Sequence, residues 1–164
     1  MSTVKVGQKA PQFELASMDG NKHGLEEALA RGPVLLAFFK VECPTCQYTF
    51  PFVERLYQQF HALGVQIWGI AQDNVRDSRQ FAKECGVTFP VLIDDYPYNV
   101  SRAYGLNYVP TLFLIDPDGH VKVVSEGFAK ADLLEIQKLL AKHSSVTPPA
   151  LFHACDGVPE FKPG

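Results

Sequence analysis

The stretch "FFKVECPTCQYTFPF", Phe38 to Phe52, decides the fold: two cysteines stand three positions apart between an apolar run and the start of a helical pattern. Just upstream, "PVLLAFF" is continuously apolar, the mark of a strand covered on both faces in a parallel sheet. Downstream, Phe50, Val53, Leu56, Tyr57 and Phe60 recur at helical spacing and Gly64 is a natural stop. Pro44 suits the first helical position, where its fixed φ is already correct. Cys43 is therefore expected to cap a helix where a buried strand ends. Unpaired amide groups and the positive end of the helix dipole favour thiolate over thiol at such a place, which makes Cys43 the candidate nucleophile. Cys46 lies one turn further on the same side and is the candidate resolving thiol, placed to attack a mixed disulfide at Cys43. Pro44 and Thr45, the residues between, tune the potential. With no His among them, the pair reads as a reductant rather than an oxidant.

Outward from this stretch the pattern continues as strand and helix in turn. "QFELASMDGNKHGLEEALA" predicts a short strand around Phe13, a turn at Asp19 and Gly20 and a helical turn or two from Leu25. "VQIWGIA" reads as a second buried strand, "VRDSRQFAKECG" as a surface helix, "FPVLID" as a short strand and Tyr98 to Tyr104 as a helix. "TLFLID" and "HVKVVSE" flank "DPDG", a tight-turn signal, and form a hairpin. The helix "KADLLEIQKLLAKH" closes the domain, with Leu133, Leu134, Ile136, Leu139 and Leu140 on or near its apolar face. This order predicts an α/β fold with a central mixed sheet, parallel inside and antiparallel at one edge, and helices on both faces. Residues 1–143 form one domain with an N-terminal β-extension over 1–32. Residues 144–164 form a proline-containing tail that packs on the domain or trails from it, with Leu151, Phe152 and Phe161 as its apolar anchors.

Composition narrows the function. A chain of 164 residues with 46% hydrophobic content suits one domain with its own core. A formal charge of -3 and scattered lysines and arginines give no footprint for nucleic acid. The longest apolar run after the N-terminus, Val34 to Phe39, is too short to span a bilayer, and "MSTVKVGQKAPQFEL" has no apolar targeting core. The expected setting is cytoplasmic, or extracytoplasmic only if a targeting segment was removed. A structural zinc site needs four ligands, usually from a second close pair, whereas Cys85 and Cys155 stand alone. No metal is expected. A pair of buried, inert thiols is the remaining alternative to redox chemistry.

Together these segments resemble the thioredoxin-fold proteins, in particular the TlpA/ResA-like and redoxin (AhpC/TSA-related) branch, over residues 4 to about 142. The resemblance rests on "VGQKAPQFEL" with "DGNKHGLEEAL", on "CPTC" followed by "FPFVERLYQQF", on "FPVLIDD", on "YVPTLFLIDPDG" and on the C-terminal helix. It implies a three-layer thioredoxin-like fold, a cis bond at Val109-Pro110 facing the dithiol, and backbone pairing of an extended substrate with Val109, beside Pro44 and Thr45. It also implies a thiol-disulfide oxidoreductase that reduces protein disulfides with no cofactor beyond the Cys43-Cys46 pair. A disulfide-containing protein or small thiol would be the substrate, an upstream thiol the electron donor, and a monomer or weak dimer the active form.

Three departures from the family pattern stand out. Ala37 occupies the place of a buried Asp six positions before the first cysteine. Thr49 replaces a Glu three positions after the second. Glu42 replaces a Trp just before the first and is the candidate proton acceptor. A peroxiredoxin-like thiol peroxidase is one competing function, although Lys40 stands where that signature places Thr. A non-catalytic redox-sensing module, with Cys155 as accessory thiol, is another.

Overall fold

The computed structural model describes residues 2–164. Two short antiparallel strands, β1 (Glu14–Ala16) and β2 (Lys22–Gly24), lead into α1 (Leu25–Leu29). Next come β3 (Val34–Phe39), α2 (Pro44–Phe60), β4 (Gln66–Ala71), α3 (Val75–Cys85), β5 (Val91–Ile93) and α4 (Asn99–Ala103). The hairpin β6 (Thr111–Ile115) and β7 (Val121–Glu126), the short β8 (Phe128–Ala129), α5 (Lys130–Ser144) and β9 (Phe161–Lys162) complete the chain. The central sheet has the order β5-β4-β3-β6-β7. β3, β4 and β5 run parallel, while β6 and β7 are antiparallel.

Alternation along β3 builds both layers of the core. Leu35, Ala37 and Phe39 face α2, α5 and Phe81 of α3, whereas Val34, Leu36 and Phe38 face α1, the N-terminal segment and Val100 and Tyr104 around α4. Every residue of β3 is buried, which is why the strand reads as an unbroken apolar run rather than as an alternating one. Stacking of Phe39, Phe50, Phe81 and Phe89, with ring centroids 4.5 to 5.7 Å apart, ties α2 and α3 to the sheet directly beneath the dithiol.

Two apolar expectations change. Leu134 is 41% exposed, because it lies off the stripe of α5 that carries Leu133, Ile136 and Leu140 inward. Phe161 is 56% exposed and anchors nothing by burial. Instead its segment is held by backbone pairing, with Phe128 opposite Lys162 and Ala129 opposite Phe161. Leu151 does pack into the core, and Phe152 stacks 5.0 Å from Phe52.

Candidate active site

β3 ends at Phe39, and the three residues after it turn the chain into α2. Two hydrogen bonds fix that turn: the Val41 N–H donates to the Asp73 carboxylate at 2.9 Å, and the Cys43 N–H to the Lys40 carbonyl at 3.2 Å. Cys43 then takes an extended conformation, φ -82° and ψ 112°, as the N-cap of α2, with Pro44 just inside the helix. Its sulfur accepts the Cys46 N–H at 3.1 Å, so the thiol takes the place that a Ser or Asp side chain fills at other helix starts.

The two sulfurs live in different surroundings. Cys43 is half-buried, whereas Cys46 has no solvent exposure. Burial, and next the neighbouring Cys43 sulfur, push the Cys46 thiol well above the usual cysteine range. Only Cys43 is open to an incoming disulfide.

Opposite the dithiol, the Val109–Pro110 bond is cis, and Pro110 leads into β6. The Thr111 hydroxyl donates to the Tyr108 carbonyl at 2.7 Å, and the Gly127 N–H to the Pro110 carbonyl at 2.8 Å, holding the loop from both sides. The Cys43 thiol points at the Val109 carbonyl, 3.5 Å away. Cys43, Cys46, Pro44, Thr45, Val109 and Pro110 are thus gathered into one place by the end of β3, the start of α2 and the start of β6.

The Glu42 side chain, one residue before Cys43, is exposed beside a shallow depression shared with Asp77 and Glu84. Ala37 and Thr49 are fully buried, and the Thr49 hydroxyl is committed to the Thr45 carbonyl at 2.7 Å.

The other two cysteines have separate settings. Pro51 lies inside α2 and lacks the N–H that would have reached the carbonyl four residues back, that of Gln47. The Cys85 thiol lies 3.9 Å from that same carbonyl and takes up part of the vacancy. Burial, then Glu84, raises the Cys85 thiol above its ordinary value, consistent with a sulfur that keeps its proton to donate. Cys155 is exposed on a short turn, Ala154–Asp156, that is fastened to α2. Arg55 fastens it, donating to Asp156 at 2.8 and 3.1 Å and to the Leu151 carbonyl at 2.9 Å. No group of three or more His, Cys, Asp or Glu able to hold a metal occurs among the described residues.

Two contributors to the site are not evident from the motif. Asp73, just beyond β4, anchors the turn before Cys43; the only signal in sequence is an acidic residue at the C-terminal end of a parallel strand, beside the next strand's end. The C-terminal residues also reach the dithiol, where the Thr45 hydroxyl donates to the Pro163 carbonyl at 2.6 Å.

A five-stranded mixed sheet with helices on both faces, and two cysteines at the start of the helix that follows its central strand, define a thioredoxin-like fold. Comparison with known proteins gives the narrower placement. Residues 6–124 match the AhpC/TSA family, and the chain belongs to that family. It is 35% identical over 130 residues to the thiol-disulfide oxidoreductase ResA of Geobacillus thermodenitrificans, covering 77% of this chain and 72% of that one. Among solved structures, it resembles a Chlorobium tepidum chain described as a thiol:disulfide interchange protein DsbE, with a TM-score of 0.74 and 31% identity over 85% of this chain and 99% of that one. It also resembles the peroxidoxin BcpB of Mycobacterium tuberculosis, with a TM-score of 0.70 and 25% identity over 88% and 99% of the two chains. With these relatives the chain stands among the thiol-disulfide oxidoreductases.

Proposed function

We propose that the protein reduces protein disulfides through a mixed-disulfide intermediate, with Cys43 as nucleophile and Cys46 as resolving thiol. The Cys43 thiolate attacks one sulfur of the substrate disulfide, forming a Cys43–substrate bond and releasing the other substrate sulfur as a thiolate. Cys46, once deprotonated, attacks the Cys43 sulfur, forming the Cys43–Cys46 disulfide and releasing the second substrate thiolate. Two electrons pass to the substrate, and an upstream dithiol returns them. The pair carries both electrons itself, so neither metal nor organic cofactor enters the cycle.

One observation carries this reading: an accessible helix-capping sulfur accepts the Cys46 N–H at 3.1 Å, directly beside a second sulfur that is wholly buried. That asymmetry suits an attacking thiol and a resolving thiol. Val109 and Pro110, with Pro44 and Thr45 across the gap, supply the docking surface for the substrate. The resolving proton goes to water or to Glu42, which is exposed one residue before Cys43. We place the reaction in a reducing, cytoplasmic setting, carried out by a monomer or weak dimer.

Replacing Cys46 with Ser tests the assignment. The variant should accumulate a stable mixed disulfide at Cys43, found by mass spectrometry of non-reduced digests. Turnover without any trapped species would sink the resolving role. For the proton, Glu42→Gln leaving the resolution rate unchanged at every pH assigns the transfer to water. The likeness to a peroxidoxin favours one second reading, peroxide reduction at Cys43. Stopped-flow mixing with hydrogen peroxide separates the two, since a peroxidase consumes peroxide faster than a peptide disulfide.

A further inference from the structure

We propose that residues 160–164 are a built-in strap that occupies the substrate-docking edge beside Cys43 and must lift before an extended polypeptide can bind. The proposal rests on the assignment of Val109 and Thr45 to substrate docking. Both residues are already engaged. Pro163 takes the Thr45 hydroxyl at 2.6 Å. Gly164 passes so near the Val109 carbonyl that a Cβ on it would collide with that oxygen. The strap therefore crosses the gap between the two sides of the site, and the half-buried Cys43 lies between them.

The strap is held largely through its own backbone, on β8. β9 pairs with β8, and the Lys130 N–H donates to the Glu160 carbonyl at 2.9 Å. Gly127, at φ +74°, lets the Lys162 carbonyl approach: a Cβ there would lie 2.5 Å from that oxygen. The Lys162 ammonium rests 4.9 Å from the centre of the Tyr48 ring. Strand addition of this kind recognises main chain and tolerates varied side chains, so the displacing ligand is an extended segment of another protein rather than a small disulfide.

Base and tip of the tail differ in how firmly they are fixed. Upstream, Leu151 is buried in the core and Arg55 clamps both the Leu151 carbonyl and Asp156. Downstream, Phe161 is largely exposed and buries little apolar surface. Residues 160–164 can thus open locally while the segment around Leu151 and Asp156 stays docked, which is what a releasable strap requires.

The test compares the full chain with a chain ending at Pro159, both checked by thermal melting, in the reduction of a disulfide-linked peptide pair and in the alkylation of Cys43. A strap closed nine-tenths of the time masks the site tenfold, so kcat/KM for the peptide should rise roughly tenfold on removal, equivalent to about 1.4 kcal/mol. A free peptide with the sequence of residues 158–164 should then lower the rate of the shortened chain competitively. Equal or lower peptide rates in the shortened, folded chain overturn the proposal. Should shortening impair folding, amide exchange in the full-length Cys46→Ser variant decides. Forming a mixed disulfide with a peptide at Cys43 should speed exchange at Lys130, and unchanged protection there counts against the strap. Absence of disulfide exchange in both chains with every substrate would instead remove the oxidoreductase reading underneath, a result distinct from equal but measurable rates.

Discussion

Burial of Cys46 has a measurable thermodynamic signature. Its thiol is raised above the ordinary value of 9.0, chiefly because the sulfur has lost its water and then because Cys43 lies beside it. In the unfolded chain the thiol ionises near pH 9, while in the folded protein it holds its proton. Between those limits the folded state binds more protons than the unfolded one, so stability falls as pH rises. The contribution is fully present below pH 9 and is lost above it, at about 1.36 kcal/mol per pH unit for one proton. From pH 7.5 to 10.5 the loss assignable to Cys46 is about 2 kcal/mol. Cys46→Ala removes this dependence. Tyr57 and Tyr104, whose hydroxyls are also raised by burial, remain in both proteins and cancel in the difference. The assay is urea unfolding under a phosphine reductant at the two pH values, with linear extrapolation. Alanine leaves a small cavity, so the absolute stabilities differ at both pH values; only the change with pH is diagnostic. If the curves of wild type and variant run parallel to within about 0.5 kcal/mol, Cys46 is not desolvated in the folded state and the asymmetry between the sulfurs fails.

Two further perturbations probe how the site is supported. Phe50→Ala removes a fully buried ring that lies 4.6 Å from Phe39 and 5.3 Å from Phe81, and should cost about 3–5 kcal/mol, read as a drop in the urea midpoint. An effect below 1 kcal/mol would mean that the aromatic stack does not hold α2 to the sheet. Asp73→Ala leaves the Val41 N–H without its acceptor and should cost about 1 kcal/mol while changing the alkylation rate of Cys43. An unaltered alkylation rate would show that the turn before Cys43 is fixed without Asp73.

Much of the fold is legible in the chain because its signals are local. The unbroken apolar run of β3, the proline at the start of α2 and the Asp-Gly turn between β6 and β7 each specify their element through short-range geometry. The dithiol is legible for the same reason, since Cys43 and Cys46 sit on one turn of a single helix. What the sequence conceals is long-range. The Asp73 carboxylate reaches Val41 across 32 positions, and Thr45 meets Pro163 across 118, with no periodicity to announce either. The tail follows its composition only in part: Leu151 and Phe152 pack as apolar anchors, whereas Phe161 stays exposed and β9 is fixed by main-chain pairing. Cys85 reads as an isolated thiol until Pro51 is seen to leave the Gln47 carbonyl without its helical partner.

The most direct measurement equilibrates the protein with graded ratios of reduced and oxidised glutathione, traps free thiols at low pH and maps them by mass spectrometry. Cys43 and Cys46 should pass together from two thiols to one intramolecular disulfide in a single two-electron transition, with Cys85 and Cys155 outside it. If Cys43 instead collects glutathione while Cys46 remains a free thiol throughout, the pair is not a redox couple and the proposed cycle cannot operate.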